Sequence, residues 1–230
     1  MKSLINALAA SSHAVALTGA GISTLCGIPD FRGAGGLYSS SNVDAERIFD
    51  IAWFDRAPSI YYRAAKKLVY NLQAFAPGPV HKALKVLQDV GILKGIITQN
   101  IDMLHQRAGS NDVCEIHGSP IVHSCRKCAR SIDFDRILQL IDANGGIEAL
   151  GEKYIPHCEC GGIFKPDITF FGEALPEQAY RSAIVLASRA DILLVLGTSL
   201  RVFPAAGLPD LTLKSGGKLF IVNAQPTDFD

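Results

Sequence analysis

Leu17-Thr18-Gly19-Ala20-Gly21-Ile22-Ser23-Thr24 is the stretch that decides the fold. The apolar run from Ala14 to Leu17 predicts a buried strand that ends at two glycines, and small hydroxyl residues then open a predicted helix. A strand, a tight turn and a helix N-terminus form a cradle for phosphate, because unpaired N–H groups and the helix dipole both favour an anion. A turn that is rich in glycine for packing alone is the alternative.

The turn differs from the dinucleotide fingerprint of ordinary dehydrogenases. That fingerprint requires a third glycine where this chain has Thr24, and a second strand that ends in an acidic residue about 20 positions further on, where this sequence predicts no strand. A nicotinamide-dependent oxidoreductase is therefore a disfavoured interpretation. The continuation Gly27-Ile28-Pro29-Asp30-Phe31-Arg32-Gly33 contains an aromatic and a basic side chain that a simple phosphate cradle does not need.

Composition limits the classes of protein to which the chain can belong. Of its 230 residues 48% are hydrophobic, and 22 basic side chains balance 22 acidic ones, so the formal net charge is zero. We expect a globular protein without a nucleic-acid partner, because no net charge attracts it to phosphate backbones. The longest aliphatic run, Ile192–Leu196, is far shorter than the roughly 20 residues that cross a bilayer, so we expect no membrane partner.

The cysteines and the N-terminal residues predict a location. Four of the six cysteines form two close pairs, which favours metal binding in a reducing compartment over disulfides. The N-terminus faintly resembles a secretory signal, but Asn6 interrupts its apolar part, and cleavage would remove the helix that covers the first strand. We therefore expect a cytoplasmic protein. The sequence makes no prediction of oligomeric state.

The two cysteine pairs predict a structural zinc site. Four thiolates on two turns make the closed tetrahedral set of structural zinc, whereas a catalytic zinc keeps an open position. The second pair is tighter than the usual Cys-x-x-Cys, and His157 stands where a first ligand could replace Cys158. We favour Cys158, because thiolates complete the more common set. The predicted ligands are Cys125, Cys128, Cys158 and Cys160.

Alternating strands and helices predict an α/β fold with a parallel sheet that is covered on both faces. The predicted strands are 14–17, 95–98, 113–116, 168–171, 192–196 and 218–223, and the predicted helices are 3–12, 58–73, 80–87, 101–109, 134–141 and 176–188. We interpret residues 1–35, 77–118 and 166–230 as a Rossmann-like core. A helical insertion at 36–76 and a zinc-binding insertion at 119–165 would form a smaller domain.

Polar side chains follow several predicted strands, at the edge where a parallel sheet exposes them to a ligand. The segments are Thr98-Gln99-Asn100-Ile101-Asp102, Glu115-Ile116-His117-Gly118, Gly197-Thr198-Ser199-Leu200 and Asn223. An Asn or Asp here could simply cap a helix, and a lone histidine is more often structural than catalytic. Their convergence on one edge favours a nucleotide site, with His117 as candidate general base. The glycine of Phe171-Gly172-Glu173 is consistent with close approach of a partner chain.

In their order and over nearly the whole chain, these motifs resemble those of the sirtuins, which are NAD-dependent protein deacylases. The matching segments are Gly19–Ser23, Gly27–Gly33, Thr98–Asp102, His117-Gly118, the two cysteine pairs, Phe171–Glu173, Gly197–Leu200 and Ile221–Asn223. The resemblance, to the bacterial or archaeal type, implies NAD as co-substrate, structural zinc and an acyl-lysine protein or peptide as partner.

The resemblance also implies roles for individual residues. The NAD-binding residues would be Gly19, Ala20, Gly21, Ser23, Thr24 and Arg32 at the phosphate turn, Gln99 at the nicotinamide ribose, Gly197, Thr198 and Ser199 on the phosphate and adenosine side, and Asn223 by the adenine ribose. Asn100, Ile101 and Asp102 would form the nicotinamide pocket, which Phe31 would shield after nicotinamide leaves. His117 would be the general base on the ribose, Asn100 and Asp102 further catalytic residues, and Phe171, Gly172 and Glu173 the contact with the peptide.

The implied reaction transfers an acyl group from lysine to ADP-ribose. The acyl oxygen attacks the ribose carbon as nicotinamide departs, and His117 then acts on a ribose hydroxyl. The products are free lysine, nicotinamide and O-acyl-ADP-ribose.

The helical insertion indicates which acyl group is removed. Sirtuins that remove succinyl groups carry Tyr-x-x-Arg there, whereas this chain has Tyr62 followed by Ala65 at the position of the arginine. Removal of acetyl or a similar uncharged acyl group is therefore favoured over desuccinylation. Protein mono-ADP-ribosylation is the nearest enzymatic alternative, and the neutral net charge disfavours a zinc-ribbon nucleic-acid module.

Overall fold

Parallel strands build the sheet that positions the site. The computed structural model describes residues 2–30, 36 and 45–230. The strands are β1 (Ala14–Thr18), β2 (Leu93–Thr98), β3 (Val113–Glu115), β4 (Gly118–Cys125), β5 (Ser131–Asp133), β6 (Phe164–Ile168), β7 (Ile192–Leu196) and β8 (Lys218–Val222). Strands β3, β2, β1, β7 and β8 lie side by side in that order, and every neighbouring pair is parallel. The predicted α/β fold with a Rossmann-like parallel sheet is confirmed.

Helices cover both faces of this sheet. The helices are α1 (Lys2–Ala10), α2 (Ala45–Ile48), α3 (Ile51–Arg56), α4 (Pro58–Leu68), α5 (Pro79–Asp89), α6 (Leu104–Arg107), α7 (Phe134–Asp142), α8 (Gly146–Ala149), α9 (Glu177–Arg189) and α10 (Leu208–Lys214). Leu8 of α1 and Leu84 of α5 pack on one face, and Ala187 of α9 and Leu208 of α10 on the other. Because β1 is buried on both faces, all five of its residues are inaccessible to solvent, as a central parallel strand requires.

A second hydrophobic core lies outside the parallel sheet. Strands β5, β4 and β6 form an antiparallel sheet, and residues of α3, α4 and α7 pack with it around a cluster of aromatic rings. Phe54, Tyr61, Tyr62 and Phe170 meet in this cluster with ring centroids 5.1–6.0 Å apart. The predicted smaller domain with a helical and a cysteine-bearing part therefore has its own core.

The predicted strand at 168–171 is wrong. Strand β6 runs from Phe164 to Ile168 and pairs with β4 in the antiparallel sheet rather than with the parallel one. The physical reason is burial, because Phe164 and Ile168 point into the second core. There the backbone of β6 pairs with β4. Phe171 lies beyond the strand and makes only a single bridge, to Asp50.

The helix predicted directly after the glycine turn is also absent from the described residues. Two 3-10 turns, Ala20–Ile22 and Thr24–Cys26, take its place, and Gly27 ends the second one with φ of +89°. The helix predicted at 101–109 is short, because Met103 has φ of +59° and α6 begins at Leu104. Among the described residues, none of the helices has the length and apolar character that a membrane span needs.

Candidate active site

The strand order reverses between β1 and β7, and ligands bind at such a point in open α/β sheets. Here the turns after both strands touch through glycines. Gly19 donates its N–H to Leu196 O at 3.0 Å, and Gly21 donates to Gly197 O at 2.9 Å. A Cβ on Gly21 would lie 2.9 Å from Gly197 Cα, and Gly197 has a φ of +62°. The two turns can therefore meet only as glycine backbone.

A cleft with a volume of about 1480 Å³ opens over these turns. Of the residues predicted to bind NAD or peptide, those that line it are Gly19, Ala20, Gly21, Thr24, Gln99, Asn100, Ile101, His117, Phe171, Gly172, Glu173, Gly197, Thr198, Ser199 and Asn223. Residues that lie between 19 and 225 in the sequence thus share one cavity, which is larger than the roughly 300–1,000 Å³ of a typical small-molecule site and leaves room for more than one ligand. Phe31 and Arg32 lie outside the described residues.

The segment after β2 forms a hydrogen-bonded wall of the cleft. Asn100 donates from Nδ2 to Gly19 O at 3.2 Å, and its own N–H is bonded to Thr98 Oγ1 at 3.1 Å. Gln99 donates from Nε2 to Thr198 Oγ1 at 2.9 Å, which connects this wall with the turn after β7. Asn100 is only 7% exposed, so its amide is fixed before any ligand binds.

Ser23 and Asp102 do not line the cleft. Ser23 donates from Oγ to Asp102 Oδ2 at 2.6 Å, and the other carboxylate oxygen of Asp102 accepts the N–H of Leu104 at 2.9 Å. Asn100 Nδ2 lies 3.3 Å from Ser23 Oγ, so the pair is bonded to the residue that does reach the cavity. In this structure Ser23 and Asp102 therefore support the wall from behind.

His117 lies in the cleft with a defined protonation pattern. Its Nδ1 is 2.9 Å from Gln99 O, and since a carbonyl oxygen only accepts, Nδ1 must carry the proton. Nε2 is then the basic nitrogen of the neutral ring. Burial lowers the pKa of His117, and the bond to Gln99 O opposes this only in part. The imidazole is consequently neutral near pH 7, as a general base must be.

The four predicted zinc ligands meet at the end of the second core. Their sulfur atoms all lie within 4.8 Å of one another, with Cys125 and Cys160 3.5 Å apart and Cys128 and Cys158 3.7 Å apart. Sulfurs bound tetrahedrally to zinc at about 2.3 Å lie roughly 3.8 Å apart, so the arrangement fits the ion.

The surroundings of these sulfurs fit zinc as well. Gly162 lies so close that a Cβ would be 2.6 Å from Cys125 Sγ, and Cys158 donates its N–H to Gly162 O at 2.7 Å. The exposed His157 is not part of the group, and its Nδ1 is bonded to Ile155 O. The donor set that the structure brings together is four thiols.

The family model described as "Sir2 family" matches residues 19–204. The chain belongs to the Sir2 family. An NAD-dependent protein deacetylase of Thermotoga maritima is 42% identical over 231 residues, 100% of this chain and 89% of that protein. NAD-dependent protein deacylase 2 of Archaeoglobus fulgidus is 43% identical over 225 residues, 97% of this chain and 84% of that protein.

This chain is also similar to a solved structure in three dimensions. It is a Sir2 protein with a deacetylated p53 peptide and 3'-O-acetyl ADP-ribose, 42% identical, with a TM-score of 0.90 over 100% of this chain and 89% of that one. At this identity and coverage the sirtuin fold extends over the whole described chain.

Several residues of this sirtuin's cleft were not predicted. Phe49, Ile168 and Phe170 add an apolar wall from the second core, and Val202, Phe203 and Pro204 line the side next to β7. Ile168 and Phe170 adjoin a predicted motif, but the sequence pattern assigned them to a strand of the parallel sheet. Phe49 carries no local signal, since its position depends on the bridge between Asp50 and Phe171.

A buried pair of histidines behind the cleft was missed as well. His105 Nε2 is 3.0 Å from Thr18 Oγ1, and Thr18 donates to Thr98 Oγ1 at 2.9 Å. The rings of His81 and His105 meet edge to face with centroids 4.9 Å apart, and both are almost inaccessible. Burial lowers the pKa of His105 to about 3, with His81 adding to the shift.

His105 should make this protein sensitive to acid. The pKa is depressed from about 6.5 in the unfolded chain to about 3, so the unfolded state takes up a proton first and stability falls as the pH drops below 6.5. The stabilisation is complete above pH 6.5, and about 2 kcal/mol of it is lost between pH 7.5 and pH 5. Burial also lowers the pKa values of His81, His117 and His123, so this loss is measured as the difference between the wild type and a His105 variant in urea unfolding at the two pH values.

The His105→Gln variant provides the comparison. It removes the titrating group, so its free energy of unfolding should fall less between pH 7.5 and pH 5 than that of the wild type, whatever its absolute stability. His157→Gln, which removes an exposed histidine, should keep the wild-type pH dependence. If the free energy of unfolding of His105→Gln changed with pH as that of the wild type does, His105 would not be a cause of the loss of stability in acid.

Proposed function

We propose that this protein removes acetyl or similar uncharged acyl groups from protein lysines with NAD as co-substrate. The observation that carries the proposal is the position of His117, a neutral imidazole whose basic nitrogen is set by the bond to Gln99 O, in the same cleft as the glycine turns. Membership of the Sir2 family and the NAD-dependent deacetylases among its relatives support it. The products are free lysine, nicotinamide and O-acyl-ADP-ribose, with one water consumed.

Different residues of the cleft bind NAD and move the proton in the proposed reaction. The turn at Gly19 to Thr24 lies beside the phosphates, although the N–H groups of Gly19 and Gly21 are already bonded to Leu196 O and Gly197 O, and Thr198, Ser199 and Asn223 hold the adenosine side. Asn100 and Ile101 line the nicotinamide pocket, and Asp102 acts on it through Ser23 and Asn100. Once nicotinamide has left, Nε2 of His117 takes a proton from a ribose hydroxyl, which then attacks the carbon of the transferred acyl group.

Zinc has a structural role in this proposal. Cys125, Cys128, Cys158 and Cys160 would hold it, and four thiolates leave no open position for a water or a substrate. What the ion supplies is cross-linking of the turns that carry the cysteines. No step of the reaction involves it.

We also propose the boundaries and the setting of the enzyme. The core comprises residues 1–35, 77–118 and 166–230, with insertions at 36–76 and 119–165, and the division is supported by the separate hydrophobic cores of the two parts. A cytoplasmic location is supported by six free cysteines, four of which group as metal ligands. The partner is an acyl-lysine protein or peptide.

The cleft should discriminate against acidic acyl groups. Among the described residues that line it, Arg181 is the one Lys or Arg side chain, and it is 77% exposed and paired with Glu177. Tyr62 and Ala65 are fully buried in the second core, with the Tyr62 hydroxyl bonded to Phe164 O. A succinyl carboxylate would therefore lose its hydration without gaining a cation. We expect kcat/KM for succinyl-lysine to be lower than for acetyl-lysine by about tenfold or more.

Mass spectrometry of one peptide carrying acetyl, propionyl or succinyl on its lysine, incubated with NAD, tests both statements. Loss of the acetyl group together with release of nicotinamide and O-acetyl-ADP-ribose supports the proposed function. A gain of ADP-ribose on the peptide with the acetyl group retained would replace it by mono-ADP-ribosylation. Equal turnover of succinyl-lysine and acetyl-lysine would contradict only the acyl preference.

A further inference from the structure

Lys165 on β6 is a buried cation that the proposed reaction does not use. It is 6% exposed, and its ammonium lies 2.8 Å from Glu173 Oε2, 2.7 Å from Ile168 O and 3.2 Å from Pro166 O. The same Nζ lies 4.0 Å from the centroid of the Phe170 ring. All three N–H bonds therefore have acceptors, and the side chain is held in one place.

Its partner Glu173 closes a tight turn. The carboxylate accepts the N–H of Phe170 at 2.9 Å, and the N–H of Glu173 donates to Phe170 O at 3.0 Å. Gly172, within the turn, has a φ of +90°, which a residue with a side chain rarely adopts. Lys165 and Phe170 N–H thus share one carboxylate oxygen, and this fixes the direction of the turn.

The other side of the turn is bonded to the helical insertion. Phe171 donates its N–H to Phe49 O at 2.7 Å, and Ile51 donates to Phe171 O at 3.1 Å. Phe171 nevertheless keeps 45% of its surface exposed, on the wall of the cleft. The turn is therefore held at two points, the backbone of Phe171 and the carboxylate of Glu173, and presents its outer surface to whatever enters the cavity.

Lys165 does not line the cleft itself. It lies behind the turn, and its neighbour on β4 is Ser124, next to Cys125. Burial lowers the pKa of Lys165, and Glu173 opposes this by stabilising the charged form. A pair this deeply placed adds little net stability, so its presence indicates a role in fixing geometry.

We propose that Lys165 is a positioning residue for the acyl-lysine peptide: its bond to Glu173 holds the Phe170–Glu173 turn in the shape that receives the peptide. The inference deepens the proposed function and depends on it, because the turn matters in this way only if a peptide binds beside it. It also links the antiparallel sheet to substrate binding, since β6 carries Lys165 at one end and pairs with the strand of Cys125.

Replacement of Lys165 by Met tests the proposal, because it keeps an unbranched side chain of nearly the same length and removes the charge. We expect the Kd of a fluorescein-labelled acetyl-lysine peptide to rise about tenfold or more, measured by fluorescence anisotropy. The KM for NAD should stay within about twofold, and kcat at saturating peptide within about threefold. Lys165→Arg retains the charge and should recover part of the peptide affinity.

Two further variants complete the design. Lys85→Met removes a lysine from an ion pair with Asp89 on α5, away from the cleft, and should leave the Kd of the peptide unchanged. Glu173→Gln should weaken peptide binding as Lys165→Met does, and the double variant should be no weaker than the worse single one, because both changes break the same bond.

The Kd of the peptide and the binding of NAD together decide the outcome. An unchanged peptide Kd in Lys165→Met, or an equal loss of peptide and NAD binding, would overturn the inference. If Lys165→Met does not fold, Lys165→Gln decides: weaker peptide binding at unchanged KM for NAD supports the role of Lys165, and unchanged peptide binding overturns it. If the wild type does not bind the acetyl-lysine peptide, it is the proposed function that fails.

Discussion

Replacing His117 with Ala is expected to lower the turnover of an acetyl-lysine peptide by a factor of about 10²–10⁴, the usual contribution of a general base. NAD binding should change little, because His117 contributes one side chain to a cleft whose nucleotide part is built from the backbone of two glycine turns. Single-turnover measurement of O-acetyl-ADP-ribose, with isothermal titration of NAD on the same sample, separates the two effects.

The exposed His157 supplies the matched control. His157→Ala removes an imidazole that lies away from the cleft, so turnover should stay at the wild-type level. For the wild type, the acid limb of kcat/KM should lie below pH 6.5, because burial lowers the pKa of His117. If His117→Ala kept turnover within about tenfold of the wild type, another group would have to be the base.

Loss of one zinc ligand should strongly destabilise the second core. Replacing Cys158 with Ser is expected to reduce bound zinc from one atom per chain to nearly none and to unfold the second core, because structural zinc sites supply roughly 10–16 kcal/mol of binding free energy. Cys125 and Cys158 belong to that core, with 3% and 6% of their surfaces exposed, so the ion and the apolar packing stabilise the same structure. Zinc analysis and thermal unfolding measure the two losses.

Two comparison variants make the zinc experiment specific. Cys114→Ser changes a cysteine of β3 that lies outside the cluster, so zinc content should remain at one atom per chain. His157→Ala should also retain the metal, because its imidazole is not among the grouped ligand atoms. Retention of zinc by Cys158→Ser together with its loss from His157→Ala would show that the histidine completes the site.

The sequence predicts the parallel sheet well, because the strands that form it carry their own signal. β1 and β7 are continuous apolar runs, and a strand buried on both faces needs no alternation. The polar segment after β2 could be assigned to the ligand edge for the same reason: once the strand is identified, the end from which the chain emerges follows from parallel topology.

The strand predicted at residues 168–171 is wrong because the local sequence there does not specify a single strand. Apolar residues recur on both sides of Ile168, at Phe164, Phe170 and Phe171, so the local pattern allows more than one strand. The position of the strand is decided by the pairing of β6 with β4, whose paired residues lie some 40 positions apart in the sequence. The role of Lys165 is unpredictable for a related reason, since a lysine in a strand usually faces solvent and only the fold places a carboxylate above it.

A sequence motif indicates the position of His117 at the ligand edge but not the burial of His105. His117 could be assigned because it follows a strand at the ligand edge. His105 lies within a short helix, and its burial results from packing against His81 and a bond to Thr18, at sequence distances of 24 and 87 residues. Its depressed pKa is therefore a property of the tertiary structure, and no spacing rule indicates it.

The order of strands in the parallel sheet has a consequence for how the chain folds as it is made. β1 is the centre of the sheet, yet its two neighbours are β2 and β7, and β7 begins only at Ile192. All the strands of the antiparallel sheet, and all four cysteines of the predicted zinc site, leave the ribosome before β7 does. The smaller unit can therefore mature while β1 still has one bare edge. Until β7 has emerged from the ribosome, that unpaired edge is open to pairing with wrong partners.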